Sequence, residues 1–325
     1  MKYCFIINPV AGKLDSSRDL VPDIQRAARV CGIAPQDLTV VKTKRPSHAT
    51  ILARQAAQSG EPVRIYAVGG DGTFNEVLKG AMPYPNAAVG LIPAGSGNDF
   101  LRNFGTKEEF SDLRDQLKGD AVSIDMVKIG TDYAAAICSA GLDAKVAYGI
   151  PKFRRVPFCH GEMAYKLSIA QCLMGNLSNH LHIEIDGHAF ERECLLVAVC
   201  NGCAYGGGFM AAPNSCLDDG VLDVLVIRKV PLHRIARVLP QYQAGKHFVD
   251  GKIRPELQDV IEYFPAKRVS LRTIDPGKTI VVNVDGECDE RDGFTAQVVP
   301  LAARVLLPRK AFDRYQQRKQ TEATV

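Results

Sequence analysis

Two glycine-rich runs constrain this 325-residue chain more than anything else in it: Gly69-Gly70-Asp71-Gly72-Thr73 and Pro93-Ala94-Gly95-Ser96-Gly97. Each directly follows a short apolar stretch, residues 65–68 and 89–92, and a helical pattern through Phe74, Val77 and Leu78 lies between them, ending near Gly80. Strand, turn, helix and strand at that spacing imply crossover units and a parallel sheet. The residues before them follow the same grammar. An apolar strand at 3–7 stops at Asn8-Pro9. Leu20, Ile24, Ala27, Ala28 and Cys31 then recur at helical spacing, with Asp15 or Ser16 as the expected cap and Gly32 as the stop. A strand at 38–41 is followed by a helix through Leu52, Ala53 and Ala56, expected to be capped by Ser47 and to end at Gly60. The glycine-rich runs therefore fall beyond the carboxyl ends of parallel strands, where such sheets bind ligands.

From about Ser123 the pattern changes. Strand-like runs dominate at 124–129, 133–139, 182–185, 194–200, 221–227, 269–272 and 279–284. Asp186-Gly187 and Asp285-Gly286 are hairpin signals. Helical interruptions are expected near 162–177 and 231–243. This grammar predicts a mostly antiparallel β domain, a sandwich. The expected division is an α/β domain at 1–122, a β-rich domain at 123–299, and a return to the first domain over about 300–325. There, residues 310–321 regain helix-forming composition.

Composition removes several classes of function. The chain carries 40 Lys+Arg against 36 Asp+Glu, a net charge of +4 that is too mild for a dedicated nucleic-acid binder. The tail after residue 300 holds Arg304, Arg309, Lys310, Arg314, Arg318 and Lys319 against Asp313 and Glu322, which accounts for the whole excess. No stretch approaches the ~18–20 apolar residues of a membrane helix, and the apolar start is too short for a signal-peptide core. The expected location is the cytoplasm. Ten cysteines are not needed as disulfides in a chain with a good core; Cys4, Cys138 and Cys200 read as small hydrophobes in strands. Cys200 and Cys203 form a C-x-x-C without the second pair that zinc would require.

The glycine-rich runs have a chemical reading. Three glycines around Asp71 let backbone N–H groups approach a polyphosphate at a helix N-terminus, where the dipole favours anions. Asp71 is placed to reach Mg2+ or the transferred phosphoryl group. One such run is equally a tight βα turn with a capping aspartate, but two converging on one sheet edge are harder to explain as turns. A Walker A loop is absent: Gly12-Lys13 would need glycine where Ile7 stands and Ser or Thr where Leu14 stands. No G-x-G-x-x-G opens the first helix either.

Asn8-Pro9 with Gly12, the run from Gly69 to Glu76, and Pro93 to Phe100 together resemble the diacylglycerol kinase catalytic-domain family, which includes soluble bacterial lipid kinases and sphingosine kinases. The resemblance continues through Asn201-Gly202, Gly206-Gly207-Gly208, Pro213, Asp219 to Val224 and Asp285-Gly286-Glu287, so it covers nearly the whole chain in order. It implies an ATP-dependent lipid kinase of two domains. These would be an N-terminal parallel-sheet α/β nucleotide-binding domain and a C-terminal antiparallel β-sandwich that binds lipid, with the active site in the cleft between them. Carried across by motif, the nucleotide contacts Asn8, Thr43 (in Thr-x-x-Pro-x-His-Ala), Gly69, Gly70, Asp71, Gly72, Thr73, Phe74, Asn75 and Ser96. Asn98 and Asp99 fall on the substrate side. Glu287 is the implied general base on the lipid hydroxyl, with Asp71 organising Mg2+; Asp71 is the alternative base, as its counterpart is in sphingosine kinases. Bacterial members also hold a structural Mg2+ with one aspartate and flanking carbonyls, which maps onto Asp219 with the carbonyls of Cys216 and Val221. Cys216 replaces a more polar residue, which matters little if its carbonyl alone binds.

The acceptor implied by default is diacylglycerol, giving phosphatidic acid; monoacylglycerol, phosphatidylglycerol, ceramide and a sphingoid base stay open, as does a homodimer. Residues 145–160 contain Lys145, Lys152, Arg154 and Arg155 with Phe153 and Phe158 and no acid. That composition suits transient contact with an anionic membrane surface, and equally a solvated loop or buried aromatics. His48 is expected to cap or pack, and Cys203 to pack. Two other classes compete. An NAD kinase-like phosphotransferase shares Gly-Gly-Asp-Gly but not the lipid-kinase form of Asn75-Glu76 and the Pro93–Asp99 run. A catalytically silent nucleotide- or lipid-binding protein would not require intact Asp71, Asn98, Asp99 and Glu287.

Overall fold

Apolar strands separated by helices build the first part of the chain, as their spacing requires. The structure, a computed structural model, describes residues 1–12, 17–95, 97–154, 162–173, 175 and 177–322. It divides into two units: residues 1–124 with 301–325, and residues 125–300.

The first unit runs β1 (Lys2–Ile7), α1 (Ser17–Val30), β2 (Leu38–Lys42), α2 (His48–Ala57), β3 (Val63–Gly69), α3 (Asp71–Ala81), β4 (Ala87–Pro93), α4 (Lys107–Ser111) and α5 (Leu113–Lys118). β1 pairs with both β2 and β3, and β3 with β4, all in parallel. β3 and β4 are buried at nearly every residue, the signature of a parallel sheet covered on both faces. Phe5 stacks on Tyr66 with ring centroids 4.6 Å apart, in a core with Ile7, Ile24, Val68 and Ile92.

The chain leaves this unit in β5 (Asp120–Ile129). The second unit comprises β6 (Asp132–Ala134), β7 (Ile137–Gly141), α6 (Leu142–Arg154), α7 (Glu162–Leu173), β8 (Asn179–Ile185), β9 (His188–Cys200), β10 (Leu222–Arg228), α8 (Leu232–Gln243), β11 (Phe248–Val249), β12 (Lys252–Ile253), β13 (Ile261–Ala266), β14 (Arg268–Thr273), β15 (Ile280–Val284) and β16 (Glu287–Arg291). Pairing here is antiparallel, in the order β16-β15-β7-β9-β8-β14, with β10 joining β9 to β13. Alternation along β9 feeds two cores. Val197 and Val199 enter one made of strand residues, including Ile183, Val224 and Val282. Leu196, Ala198 and Cys200 enter another closed by Leu142, Val146, Ile235 and Val238 of α6 and α8. Such period-two sorting is what a sheet covered on both faces requires.

The last strand, β17 (Gly293–Leu307), pairs antiparallel with β14 over Gly293–Gln297 and parallel with β4 at Val305 and Leu306. α9 (Arg309–Glu322) then lies on the first unit. Arg314 there grips Glu109 with both guanidinium nitrogens at 2.6 and 2.8 Å, and the Lys310 N–H donates to Asp115 Oδ2 at 3.2 Å.

Several local expectations change. The strand expected at 133–139 is broken between β6 and β7, because the N–H groups of Ala135, Ala136 and Ile137 all donate to the Asp285 carboxylate. Residues 145–154 belong to helix α6, not to a loop; Gly149 leaves room for Ser168 of α7, whose Oγ would lie 2.5 Å from a Cβ there. Arg155, Phe158 and the rest of 155–161 lie outside the described residues, as do the Asp15 and Ser16 expected to cap α1. Ser47 precedes α2 in a left-handed conformation, φ 60°, with no side-chain cap. Among the described residues no helix is long and apolar enough to cross a membrane.

Candidate active site

Parallel pairing sets Ile7 beside Val68 and Gly69 beside Pro93, so the loops that follow β1, β3 and β4 emerge together. Asn8 Nδ2 donates to Thr73 Oγ1 at 3.0 Å. The N–H groups of Ala94 and Gly95 donate to Gly69 O at 2.8 and 3.1 Å. Thr43 is drawn in by its N–H, which donates to Ile7 O at 2.9 Å. The loops touch backbone to backbone: a Cβ on Gly95 would stand 2.6 Å from Gly70 Cα, and one on Gly12, at φ +85°, 2.6 Å from Ala94 O. Glycine is demanded here by the approach of two main chains.

Asp71 begins α3 and fastens the second loop. Its Oδ1 accepts the Phe100 N–H at 3.1 Å. Burial pushes its carboxyl up, and N–H groups of Phe100, Asp99 and Asn98 pull against that shift. The first intrahelical bond of this turn runs from Phe74 N to Gly70 O at 3.0 Å. The N–H groups of Asp71, Gly72 and Thr73 therefore lead the helix at its positive end, where anions are favoured. Phe74 and Phe100 pack with centroids 4.5 Å apart and support the junction.

Asn75 and Asn98 are 4% and 1% exposed, respectively. Asn98, at φ +61°, donates from Nδ2 to Gly95 O at 2.8 Å. The Oδ1 atoms of both asparagines are buried and accept no hydrogen bond among the described residues. Burying an unpaired acceptor costs about 1–3 kcal/mol, so these two are suited to a donor brought by a ligand. Asp99 is buried and accepts the Arg102 Nε–H at 3.2 Å. Ser96 lies outside the described residues.

Two neighbours have structural duties. Glu76 caps α2 in place of Ser47: its carboxylate accepts the N–H groups of Ser47 and Ala49 at 3.0 and 3.1 Å. His48 Nδ1 accepts the Lys44 N–H at 3.1 Å and so closes a turn. No local spacing signals the role of Glu76, because its partners lie in the preceding crossover.

In the second unit, Asp285 sits in the left-handed region at φ +47°, and its carboxylate gathers the three N–H groups between β6 and β7. Asn201 braces the same segment, donating from Nδ2 to the carbonyls of Asp125 and Ala135 at 2.9 and 2.8 Å. Glu287 follows the turn, paired across the hairpin with Val284, and its side chain is exposed. Asp219 lies in an oxygen-rich loop. Its Oδ1 accepts the Val221 N–H at 3.0 Å, and Asp125 Oδ2 accepts the Gly220 N–H at 2.7 Å. The Cys216 thiol donates to Asp218 Oδ1 at 3.0 Å. Burial, then the nearby Asp125 and Asp218, push the Asp219 carboxyl up. Among the described residues no group of three or more His, Cys, Asp or Glu could hold a metal ion, and Cys200 and Cys203 are buried and form no disulfide. Asp143 at the start of α6 is a carboxyl that no motif spacing marks; burial raises it as well.

The profile of the diacylglycerol kinase catalytic domain matches residues 2–129, and that of the YegS C-terminal NAD kinase beta sandwich-like domain matches residues 136–307. The chain belongs to the diacylglycerol kinase family. It is 30% identical over 285 residues to the diacylglycerol kinase of Bacillus subtilis, covering 87% of this chain and 88% of that protein. It is 29% identical over 300 residues to a Chromohalobacter salexigens protein named "Probable lipid kinase YegS-like", covering 89% of each. The crystal structure of a diacylglycerol kinase from Bacillus anthracis shares the fold over 94% of this chain and 96% of that one, with a TM-score of 0.66 at 21% identity. The parallel α/β unit and the antiparallel sandwich expected from the sequence are thus those of the diacylglycerol kinase family. Within the first unit Asn8, Thr43, Gly69 to Asn75, Asn98 and Asp99 come together; Glu287, Asp285 and Asp219 belong to the second.

Proposed function

We propose that this protein transfers the γ-phosphoryl group of ATP to a lipid hydroxyl, with diacylglycerol the acceptor and phosphatidic acid the product. The observation that carries this reading is the backbone contact between the loops at Gly70 and Gly95, at a helix N-terminus flanked by the unpaired carbonyls of Asn75 and Asn98. Such a set fits a polyphosphate and the donors of its nucleoside. Asn8, Thr43, Gly69 to Asn75 and Ser96 would hold the nucleotide, with Asn98 and Asp99 on the acceptor side. Asp71, raised by burial, would take Mg2+, whose charge, when bound, neutralises the phosphates.

The acceptor hydroxyl must lose a proton as its oxygen bonds to phosphorus and ADP departs. Glu287 is exposed beside a turn that Asp285 and Asn201 fix rigidly, a placement suited to a general base. Asp219 would seat a structural Mg2+ with the carbonyls of Cys216 and Val221. Its surroundings supply oxygen donors of the hard type that Mg2+ prefers, and the Cys216 thiol is directed to Asp218. A membrane-borne acceptor also accounts for α7, which buries Ser168 at 0% while exposing Met163 at 55% and Leu167 at 40%. Tyr148 and Lys152 are exposed on α6, a mixed apolar and cationic surface suited to anionic lipid.

The test is phosphorylation from ATP with a membrane lipid extract and with NAD in parallel, products identified by mass spectrometry. Phosphatidic acid is expected, with a loss of about 100-fold or more in Glu287→Gln at unchanged melting temperature. Label in NADP alone, or near-normal turnover in Glu287→Gln, would overturn the reaction or the base respectively.

A further inference from the structure

A triphosphate is a concentrated anion, and phosphoryl-transfer proteins meet it with a lysine as well as with backbone N–H groups. The loops assembled here supply the N–H groups but no cation: Asn8, Thr43, Gly69 to Asn75, Asn98 and Asp99 include no Lys or Arg. A Walker lysine is missing, and Arg102 is committed to Asp99 at 3.2 Å.

A cation does reach the second loop. Lys107, the first residue of α4, places Nζ 3.5 Å from Gly95 O. That carbonyl does not depend on it, because Asn98 Nδ2 already donates there at 2.8 Å. A bond so long is weak, and an ammonium has three donors to give. Lys107 is exposed, and no ion pair holds it among the described residues. The Glu108 carboxyl beside it is drawn down chiefly by its own N–H and the Thr106 hydroxyl, with Lys107 contributing less.

The stem starts from a fixed point. Thr106 and Glu109 cap α4 reciprocally: Glu109 Oε2 accepts the Thr106 N–H at 3.0 Å, and Thr106 Oγ1 accepts the Glu109 N–H at 3.4 Å. Arg314 of α9 grips the same glutamate, and a Cβ on Gly105 would stand 2.9 Å from its Nη2. A first helical turn favours acids such as Glu108 and Glu109, so the helix gives no reason for a cation at 107.

The loop that Lys107 approaches has an opening for a ligand. Asn98 is 1% exposed, and its amide shares Gly95 O with Lys107, yet its Oδ1 accepts no hydrogen bond among the described residues. Gly95 in turn stands against Gly70, the N-cap of α3. An ammonium, an unpaired acceptor and the leading N–H groups of α3 therefore meet at one loop.

Building on the reading of these loops as a nucleotide site, we infer that Lys107 is a phosphate-binding residue, whose ammonium exchanges Gly95 O for non-bridging oxygens of the β- and γ-phosphates of ATP. The new contact is charge-assisted, shorter and stronger than the one surrendered. Lys107 thus supplies the cation that the first loop lacks, and it makes affinity depend on phosphates beyond the first.

Calorimetry on the full chain at low ionic strength reads the affinity for ATP, AMP and inorganic tripolyphosphate. Lys107→Gln is expected to weaken ATP and tripolyphosphate about tenfold, or ~1.4 kcal/mol. AMP affinity and the melting temperature of the free protein should stay within error of wild type. Lys107→Arg keeps the charge and should recover most of the loss, whereas a packing role would move AMP together with ATP. An unchanged ATP affinity in Lys107→Gln, or an equal loss for AMP, overturns the assignment. If wild type binds ATP but phosphorylates no lipid, the kinase reading fails while Lys107 is judged by the same affinities. If it binds neither ATP nor tripolyphosphate, the nucleotide site and the role of Lys107 fall together.

Discussion

Replacing Gly95 with alanine tests whether the two glycine-rich loops are held by contact between main chains. The new Cβ would stand 2.6 Å from Gly70 Cα and 3.0 Å from Gly70 N, both backbone atoms that no rotamer can move aside. Ordinary carbon contacts lie near 3.5–4.0 Å, so the loops must part by about 1 Å. Overpacking of this kind costs about 1–3 kcal/mol, and for a unit of this size each kcal/mol lowers Tm by about 2–4 °C. If the loops yield instead, a displacement of about 1 Å costs on the order of 100-fold in turnover. Gly70→Ala meets the same contact from the other side at 3.6 Å, with φ at −101°, and is expected to lose at most about 1 kcal/mol at its N-cap position. A Cβ on Gly72 meets nothing within 4 Å, and Gly72→Ala should gain about 0.5–1 kcal/mol of helix propensity. Thermal unfolding should therefore rank Gly72→Ala above Gly70→Ala, and Gly95→Ala last, and calorimetry should show nucleotide affinity lost in Gly95→Ala. Wild-type melting and affinity in Gly95→Ala, or a larger loss in Gly70→Ala, would refute the contact argument.

Two further outcomes follow from the second unit. Asp285→Asn keeps a residue that tolerates the left-handed conformation but surrenders an anion that serves three N–H groups. It should lose about 2–3 kcal/mol, read by urea unfolding, whereas the exposed Asp186→Asn, which serves two, should lose less. Burial alone would raise the Glu262 carboxyl, but hydrogen bonds from Arg192 and Arg228 at 2.8 and 2.7 Å outweigh it and hold the group at about 2, from an ordinary 4.5. That stabilisation is complete above pH 4.5 and fades as pH falls toward 2. With the arginine side chains 35% and 41% exposed, it amounts to a discounted 1–2 kcal/mol or so. Glu262→Gln should flatten stability across that range, and an unchanged acid slope would show the pair to be inert.

Much of this architecture is legible because burial writes simple patterns. β3 and β4, covered on both faces, are uninterrupted apolar runs directly before their glycine turns. β17 is illegible for the opposite reason. Its first half alternates, as an antiparallel strand with one face inward, its last three residues are wholly buried, and Pro300 and Leu301 divide the two. α6 hides behind Gly149, a residue that discourages helix until Ser168 of α7 occupies the space it leaves. At the site, Asn75 and Asn98 could be found because each lies inside a motif. Glu76 and Asp285 act on backbone donors far away in sequence, and the Asp285-Gly286 signal reads the same whether its carboxylate is solvated or clamps a distant strand. Asp143 sits in an ordinary apolar stretch, and only its neighbours in space make it unusual.

The interrupted chain path has a consequence for biosynthesis. Residues 125–300 are contiguous and emerge from a ribosome as a whole, whereas the first unit needs Val305 and Leu306 to cover the edge of β4, and α9 after them. At about 5–20 residues per second, β4 waits roughly 10–40 s for that partner. During this interval an apolar strand presents open N–H and C=O groups, the condition in which edges pair with the wrong chain. The domain made first is thus the domain finished last, and the basic tail is the piece that closes it.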